Sequence, residues 1–254
     1  MMEMNRSMSH TNSQDPVGAA DDAPATPAPD VRVESDTELP LSAADERTQP
    51  RQPDAIDLAG ELAGRGELGA ALAAVRGVLA KEPKNTKGRA LLAMLLERRG
   101  DIEGALAELS RAIDTASDDV TLLCARASLY STRGRFDLAE EDLRRATRVD
   151  PSGADVQVQL GMLFSKRARW REAIEPLQAA VTANPDRADA HYYLGEAYNH
   201  IDDLPAALAA YESAVRLLPE NGRAHKGMGI VFDRMGKPVE AAAAYRRARD
   251  FQKR

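Results

Sequence analysis

The sequence predicts an all-α fold made of six consecutive helix-turn-helix units. Three observations predict it: a repeat period of 34 residues from residue 52 onward, apolar positions at helical spacing inside each unit, and a different composition before residue 52. The units comprise residues 52–85, 86–119, 120–153, 154–187, 188–221 and 222–254. Repeats of this length bury their apolar faces by stacking against their neighbours in the order of the chain.

Residues 1–51 precede the units and are predicted to form a separate, disordered domain. They hold 10 acidic residues against 4 basic ones, and 6 of the 14 prolines, but no aromatic residue. Their net charge of −6 equals that of the whole chain, so residues 52–254 are neutral overall. A segment with so few apolar side chains cannot bury enough surface to offset its conformational entropy. We therefore expect an acidic tail rich in proline and alanine.

Several positions keep their character when each unit is numbered from 1 to 34. Position 20 is always alanine, at Ala71, Ala105, Ala139, Ala173, Ala207 and Ala241. Position 8 is always alanine or glycine, and position 11 is always large and apolar. Positions 4, 7, 8 and 11 recur at helical spacing, as do positions 17, 20, 24 and 27, which indicates two amphipathic helices. Glycine at position 15 favours a turn between them, and proline at position 32 ends the second helix.

This pattern resembles the tetratricopeptide repeat, a helix-turn-helix unit with the same residue types at these positions. The fifth unit matches it best, with His191, Leu194, Gly195, Tyr198, Ala207, Tyr211 and Pro219. The resemblance covers residues 52–254. It implies a right-handed α-solenoid in which the first helix of each unit lines a concave groove, the usual binding site of this family for peptides or partner proteins.

Three residues depart from the pattern. Arg126 occupies position 7, where the family has leucine, so its side chain must extend to the surface or pair with an acidic neighbour. Ser117 replaces the proline of position 32, and the second helix of the second unit is expected to run on past its usual end. Pro176 lies inside the second helix of the fourth unit, where it should remove one hydrogen bond and introduce a kink.

The sequence contains no recognisable motif for catalysis, phosphate binding or metal binding, so we expect no enzymatic activity and no cofactor. His191 and His225 both occupy position 4 of their units, and this periodic placement favours a packing role over a metal site. Cys124, the only cysteine, has no histidine near it in sequence, which argues against a catalytic thiolate.

Composition also limits the location and the partners. The longest apolar run, residues 90–96, is too short to span a membrane, and the polar N-terminal residues do not form a secretory signal. A single cysteine suits a reducing compartment. An acidic overall charge and a groove without interleaved aromatic residues argue against nucleic-acid binding. The prediction is a cytoplasmic protein whose partner is a protein or peptide.

The resemblance places positions 2, 5, 9, 12 and 13 of each first helix on the groove surface. The candidate partner-binding residues at these positions are Arg98, Lys166, Tyr192, Glu196, Asn199, His200, Arg223, Lys226 and Arg234. Tyr192 is the only aromatic residue among the groove positions, and aromatic residues dominate the energetics of many interfaces. Tyr192 is therefore the predicted hot spot.

Charge is unevenly distributed between the last two units. The fifth unit has a net charge of −5 and the sixth a net charge of +6. Arg223, Lys226 and Arg234 therefore predict a cationic pocket for an acidic segment or a chain-terminal carboxylate. The alternative is a basic surface that only interacts with solvent.

The absence of a catalytic motif and the presence of a predicted groove favour a scaffold or adaptor that binds a peptide or partner protein. An alternative is a non-catalytic regulatory subunit of an enzyme or assembly machine. The opposite charges of residues 1–51 and of the sixth unit further suggest autoregulation by the acidic tail. The partner, the pathway and the oligomeric state are left open by the sequence.

Overall fold

The computed structural model describes residues 54–252, which form twelve α-helices. They are α1 (Ala55–Gly64), α2 (Leu68–Lys81), α3 (Thr86–Arg98), α4 (Ile102–Thr115), α5 (Val120–Thr132), α6 (Phe136–Val149), α7 (Ala154–Lys166), α8 (Trp170–Ala183), α9 (Ala188–His200), α10 (Leu204–Leu217), α11 (Gly222–Arg234) and α12 (Pro238–Gln252). Odd-numbered helices are the first helices of the units, and even-numbered helices are the second. The predicted tail, residues 1–51, lies outside the described residues.

The helices form a regular two-layer array. Each first helix packs against the second helix of its own unit, and each second helix also packs against the first helix of the next unit. First helices of successive units contact one another as well, as α5 does with α7 and α9 with α11. The first helices therefore form one layer and the second helices the other, which is the arrangement of an α-solenoid.

Small residues at positions 8 and 20 allow the helices to approach closely. The alanines of position 20 are completely buried in the first five units and 1% exposed at Ala241. At position 8, a Cβ atom on Gly195 would lie only 2.7 Å from the Tyr211 ring, and one on Gly161 would lie 2.4 Å from Leu177. The large side chains of position 24 therefore occupy the space that the missing side chains leave.

In four of the six units the side chain at position 4 connects the first helix to the loop before it. Arg89, Gln157, His191 and His225 hydrogen-bond to the carbonyl oxygens of Pro83, Pro151, Pro185 and Pro219, six residues earlier in each case, at distances of 2.5–3.0 Å. The third unit has Leu123 at this position and is preceded by Ser117 instead of proline. The two histidines thus have a structural contact, as expected from their periodic placement.

Two of the three departures from the repeat pattern are accommodated without lengthening or interrupting a helix. The second helix of the second unit does not run on past Ser117: α4 ends at Thr115 and has the same 14 residues as its counterparts α6 and α8. That expectation was wrong because Asp119 caps the next helix by accepting a hydrogen bond from the Leu122 N–H, which fixes where α5 begins. Pro176 lies within α8, which continues to Ala183.

Arg126, the third departure, pairs with an acidic neighbour as expected. Its guanidinium donates two hydrogen bonds to the Asp142 carboxylate, at 2.8 and 2.7 Å, and one to the Ser110 hydroxyl at 3.1 Å. The Asp142 side chain is only 6% exposed and that of Arg126 is 17% exposed. A buried ion pair therefore stands where the family pattern has an apolar contact.

Candidate functional site

A cavity of about 280 Å³ lies between α9 and α11, the first helices of the fifth and sixth units. We call it the α9–α11 cavity. Its lining residues are Tyr192, Glu196, Asn199 and His200 from α9, Tyr211 from α10, and Arg223, Lys226, Gly227 and Ile230 from α11. Six of the nine candidate residues from the sequence, Tyr192, Glu196, Asn199, His200, Arg223 and Lys226, are thereby brought together.

Tyr192 lines the cavity but is covered by its neighbours. Its side chain is only 7% exposed, and the Arg223 guanidinium lies over its ring at 4.4 Å from the ring centre. The Tyr192 hydroxyl donates a hydrogen bond to Glu196. Burial and the Glu196 carboxylate together raise the pKa of Tyr192 well above its usual value, so the hydroxyl stays protonated. The Tyr192 ring is therefore covered and holds Arg223 in place, and the role of Tyr192 as a binding hot spot stays a prediction.

Arg223 and Lys226 provide the positive charge of the cavity. Both are exposed, they lie on the same face of α11, and neither forms an ion pair within the described residues. Glu196 is the only carboxylate in the lining, and it is engaged by Tyr192. The lining thus has two cations and one anion, a net charge of +1 with neutral histidine.

The other three candidate residues are used to connect units. Arg98 donates to the Ala63 carbonyl at 3.1 Å, Lys166 donates to the Ser131 hydroxyl at 3.1 Å, and Arg234 donates to the carbonyl and side-chain oxygens of Asn199 at 2.5 and 2.6 Å. In each case position 13 of one unit contacts position 12 of the preceding unit. Arg98 and Lys166 therefore lie away from the α9–α11 cavity.

His200 lines the cavity and Arg234 lies beside its residue Asn199, and both side chains already make contacts within the protein. Besides Asn199, Arg234 binds the Asp202 carboxylate at 2.6 Å. The His200 ring stacks on Trp170 of α8, with ring centres 3.8 Å apart and planes inclined by 5°. These contacts correct the expectation that Arg234 belongs to a free cationic pocket: it holds α11 against the end of α9 instead.

Tyr211 is a lining residue that is not among the nine candidates from the sequence. It comes from α10, is 2% exposed, and its ring lies between Gly195 and Gly227, where added Cβ atoms would approach it to 2.7 and 2.4 Å. Its hydroxyl makes no hydrogen bond within residues 54–252 and is not among the fully buried unpaired atoms of that range, so it is accessible from the cavity. The signal in the sequence was the tyrosine itself, because the first four units have valine or leucine at position 24.

A second cavity, of about 570 Å³, lies between α5 and α7 and includes Cys124, Asp150 and Asp155. Burial, with the nearby aspartates, raises the pKa of Cys124 to about 11, so its thiol is protonated at neutral pH. Within residues 54–252, no group of three or more histidine, cysteine or acidic residues is placed to hold a metal ion. In the same range, none of the helices has both the length and the apolar composition needed to cross a membrane.

Solved structures with the same fold include MamA, YrrB and PilF. MamA is 25% identical over 64% of this chain and 95% of its own, with a TM-score of 0.59. YrrB, described as a tetratricopeptide repeat protein with an unusual peptide-binding site, is 20% identical over 70% and 92%, with a TM-score of 0.59. PilF of Pseudomonas aeruginosa is 17% identical over 75% and 86%, with a TM-score of 0.68. No curated protein sequence matches the chain.

Three family models, each described as tetratricopeptide repeat, match most of the chain. One matches residues 62–129, a second matches residues 120–152, and the third matches residues 158–221 and 201–253. Together with the six helix pairs, these matches confirm the fold class that the sequence predicts. The chain therefore belongs to the tetratricopeptide repeat family, whose fold serves as a protein-interaction scaffold.

Proposed function

We propose that this protein is a scaffold or adaptor that holds an acidic peptide segment of a partner protein in the groove, with a carboxylate of that segment bound in the α9–α11 cavity. One observation carries the proposal. Arg223 and Lys226 lie side by side in a cavity and have no acidic partner among the described residues. Charge-assisted hydrogen bonds to a carboxylate would use both cations.

Four half-buried arginines in the described part of the chain differ from Arg223 in this respect, although exposed ones such as Arg171 also form no ion pair there. Arg126, Arg167, Arg169 and Arg187 each bind at least one carboxylate of the chain itself. The Arg223 guanidinium instead packs on the Tyr192 and Tyr193 rings, 4.4 and 5.7 Å from the ring centres, and the residue is exposed. Ile230, 37% exposed, adds apolar surface at the edge of the same cavity. YrrB, which has the same fold, is described as having a peptide-binding site.

Photo-crosslinking in the native extract tests the proposal. A benzoylphenylalanine placed at Ile230 should capture the partner, whereas one at Val239 on α12, which is 78% exposed, should not. The charge-reversed variant R223E/K226E should reduce the yield at position 230 about tenfold or more, while Arg171→Glu on α8 should leave it unchanged. Mass spectrometry should find the crosslink within a segment that carries carboxylates. Equal yields from both variants would refute the proposed site.

The identity of the crosslinked protein distinguishes a scaffold from the alternative function, a regulatory subunit. A partner enzyme whose turnover changes on binding would make this protein its regulatory subunit rather than a scaffold. Autoregulation by residues 1–51 predicts that their deletion raises partner affinity, and that the gain disappears at high salt. Cytoplasmic location and the absence of catalytic activity stay predictions.

A further inference from the structure

We infer that the Tyr211 hydroxyl is a ligand-binding donor of the α9–α11 cavity and hydrogen-bonds a carboxylate oxygen of the bound peptide. The inference rests on the proposed function and identifies a specificity-determining residue that the groove pattern of the family does not include. Tyr211 belongs to α10, in the layer of second helices, and is the only lining residue that comes from that layer.

The first argument is that the Tyr211 hydroxyl lacks a partner within the described part of the chain, although the residue as a whole is nearly buried. Tyr211 is 2% exposed, lines the cavity, and makes no hydrogen bond within the described residues. Buried hydroxyl groups in proteins are normally hydrogen-bonded, because burial without a partner is unfavourable. The Tyr211 oxygen is not among the fully buried unpaired atoms of the described residues, so it reaches the cavity, where a ligand or water can accept its hydrogen bond.

The second argument comes from Tyr245, which occupies the same position 24 in the sixth unit. Its ring lies against Gly229 as Tyr211 lies against Gly195, but its hydroxyl donates to Asp233, the residue of position 12, at 2.8 Å. In the fifth unit position 12 is Asn199, and its side-chain oxygen already accepts from Arg234 of the next unit. Tyr211 makes no such contact with Asn199 within the described residues.

The chemistry of the cavity favours an anionic acceptor of single charge. Tyr211, Arg223 and Lys226 all donate, and a carboxylate only accepts. Burial raises the pKa of Tyr211 above its usual value, which keeps the hydroxyl protonated and able to donate at neutral pH. A lining with a net charge of +1 suits a carboxylate better than a phosphate group, which carries nearly two charges.

The test uses the full chain with carbon-13 at Cζ of its six tyrosines, observed by NMR. The probes are three acetylated hexapeptides of glycine and serine: one with a free C-terminal carboxylate, one amidated with two internal glutamates, and one amidated and neutral. The first two separate a chain-terminal carboxylate from side-chain carboxylates as the ligand. We expect at least one of them to shift the Tyr211 signal while the Tyr245 signal stays in place, and the neutral probe to shift neither.

Paired substitutions complete the test. Tyr211→Phe retains the ring and should weaken binding of the carboxylate probe about tenfold, whereas Tyr245→Phe should leave it unchanged. If Arg223→Glu abolishes binding but Tyr211→Phe does not weaken it, the proposed function stands and the role of Tyr211 is refuted. If neither carboxylate probe binds the unmodified chain, the proposed site fails and this inference fails with it. The same holds if the Arg223→Glu variant binds a carboxylate probe as tightly as the unmodified chain does.

Discussion

Arg126 and Asp142 form an ion pair where most other units place apolar side chains. Position 7 is leucine or methionine in the other five units, and position 23 is alanine in three of them. Two hydrogen bonds join the guanidinium to the carboxylate, and both side chains are largely removed from water. A buried pair of this kind recovers little net free energy, because desolvation of both charges offsets their attraction.

This offset predicts a non-additive result when the pair is replaced. Arg126→Leu alone leaves a buried carboxylate, and Asp142→Ala alone leaves a buried guanidinium, so each should lower the free energy of unfolding by about 3–5 kcal/mol. The double variant R126L/D142A introduces the leucine and alanine that the first and fifth units have at these positions, and it should lie within about 1 kcal/mol of the unmodified chain. Urea unfolding followed by circular dichroism measures all three. Additive losses would show that the pair is a large net source of stability.

Predictions for single residues were correct where the residue type alone decided which contact the side chain must make. A lone arginine at an apolar position must either extend to the surface or pair with an acidic residue, and Arg126 pairs with Asp142. Arg98, Lys166 and Arg234 were misjudged because their contacts reach back 35 residues to a neighbouring unit, and no periodic pattern reveals which oxygen lies within reach. Tyr211 was missed because its role depends on a hydroxyl without a partner, which only three-dimensional neighbours can show.

The turn between the two helices of each unit needs a residue in the left-handed backbone region. Four units have glycine there, but the fourth and fifth have Ala168 and Asp202, with φ of 56° and 70°. A side chain is strained in this conformation, and alanine more so than aspartate. Asp202 also binds Arg234, so its side chain contributes a contact that glycine would lose.

Glycine substitution at this turn should therefore act differently at the two sites. Ala168→Gly should raise the free energy of unfolding by about 1 kcal/mol, because it relieves the strain in a turn that already has the correct geometry. Asp202→Gly should give a smaller gain or a loss. Thermal and urea unfolding of the two single variants decide between these outcomes, and equal gains would mean that the Asp202–Arg234 contact contributes nothing.

Elements as a whole were well predicted because their determinants are local and repeated. Two helices per unit followed from the apolar spacing, and the turn followed from position 15. The error at Ser117 shows the limit of this approach. A proline after the helix is not required to end it, since the Asp119 cap fixes the start of the next helix without one. A helix boundary therefore depends on the start of the next helix as well as on its own last residues.

At the scale of the whole array, the outer surface of α12 differs from that of the inner second helices. Position 28 is apolar or threonine in the first five units but is the exposed Arg249 in the sixth, and position 21 is the exposed Ala242. On α1, Leu58 at position 7 is 43% exposed, whereas Leu92 and Leu194 at the same position are 6% and 7% exposed. Polar or small residues on α12 thus reduce the apolar surface available for stacking.

Restoring the inner pattern on α12 should promote self-association. The variant A242L/R249L presents an apolar face that resembles an inner second helix, and Leu58 on α1 of another copy offers a matching surface. Sedimentation velocity should show species whose size increases with protein concentration. Arg171→Leu on the exposed side of α8 removes the same charge and should remain at the size of the unmodified protein; association of both variants alike would indicate nonspecific aggregation.

The principal helix contacts join only neighbouring or next-but-one helices along the chain. Because each unit contacts only its neighbours, small rotations at successive junctions add up from one end of the array to the other. A small rotation at each of the five junctions between units would therefore change the curvature of the array without the loss of any single buried contact. We expect the array to bend in this way while every unit keeps its own core.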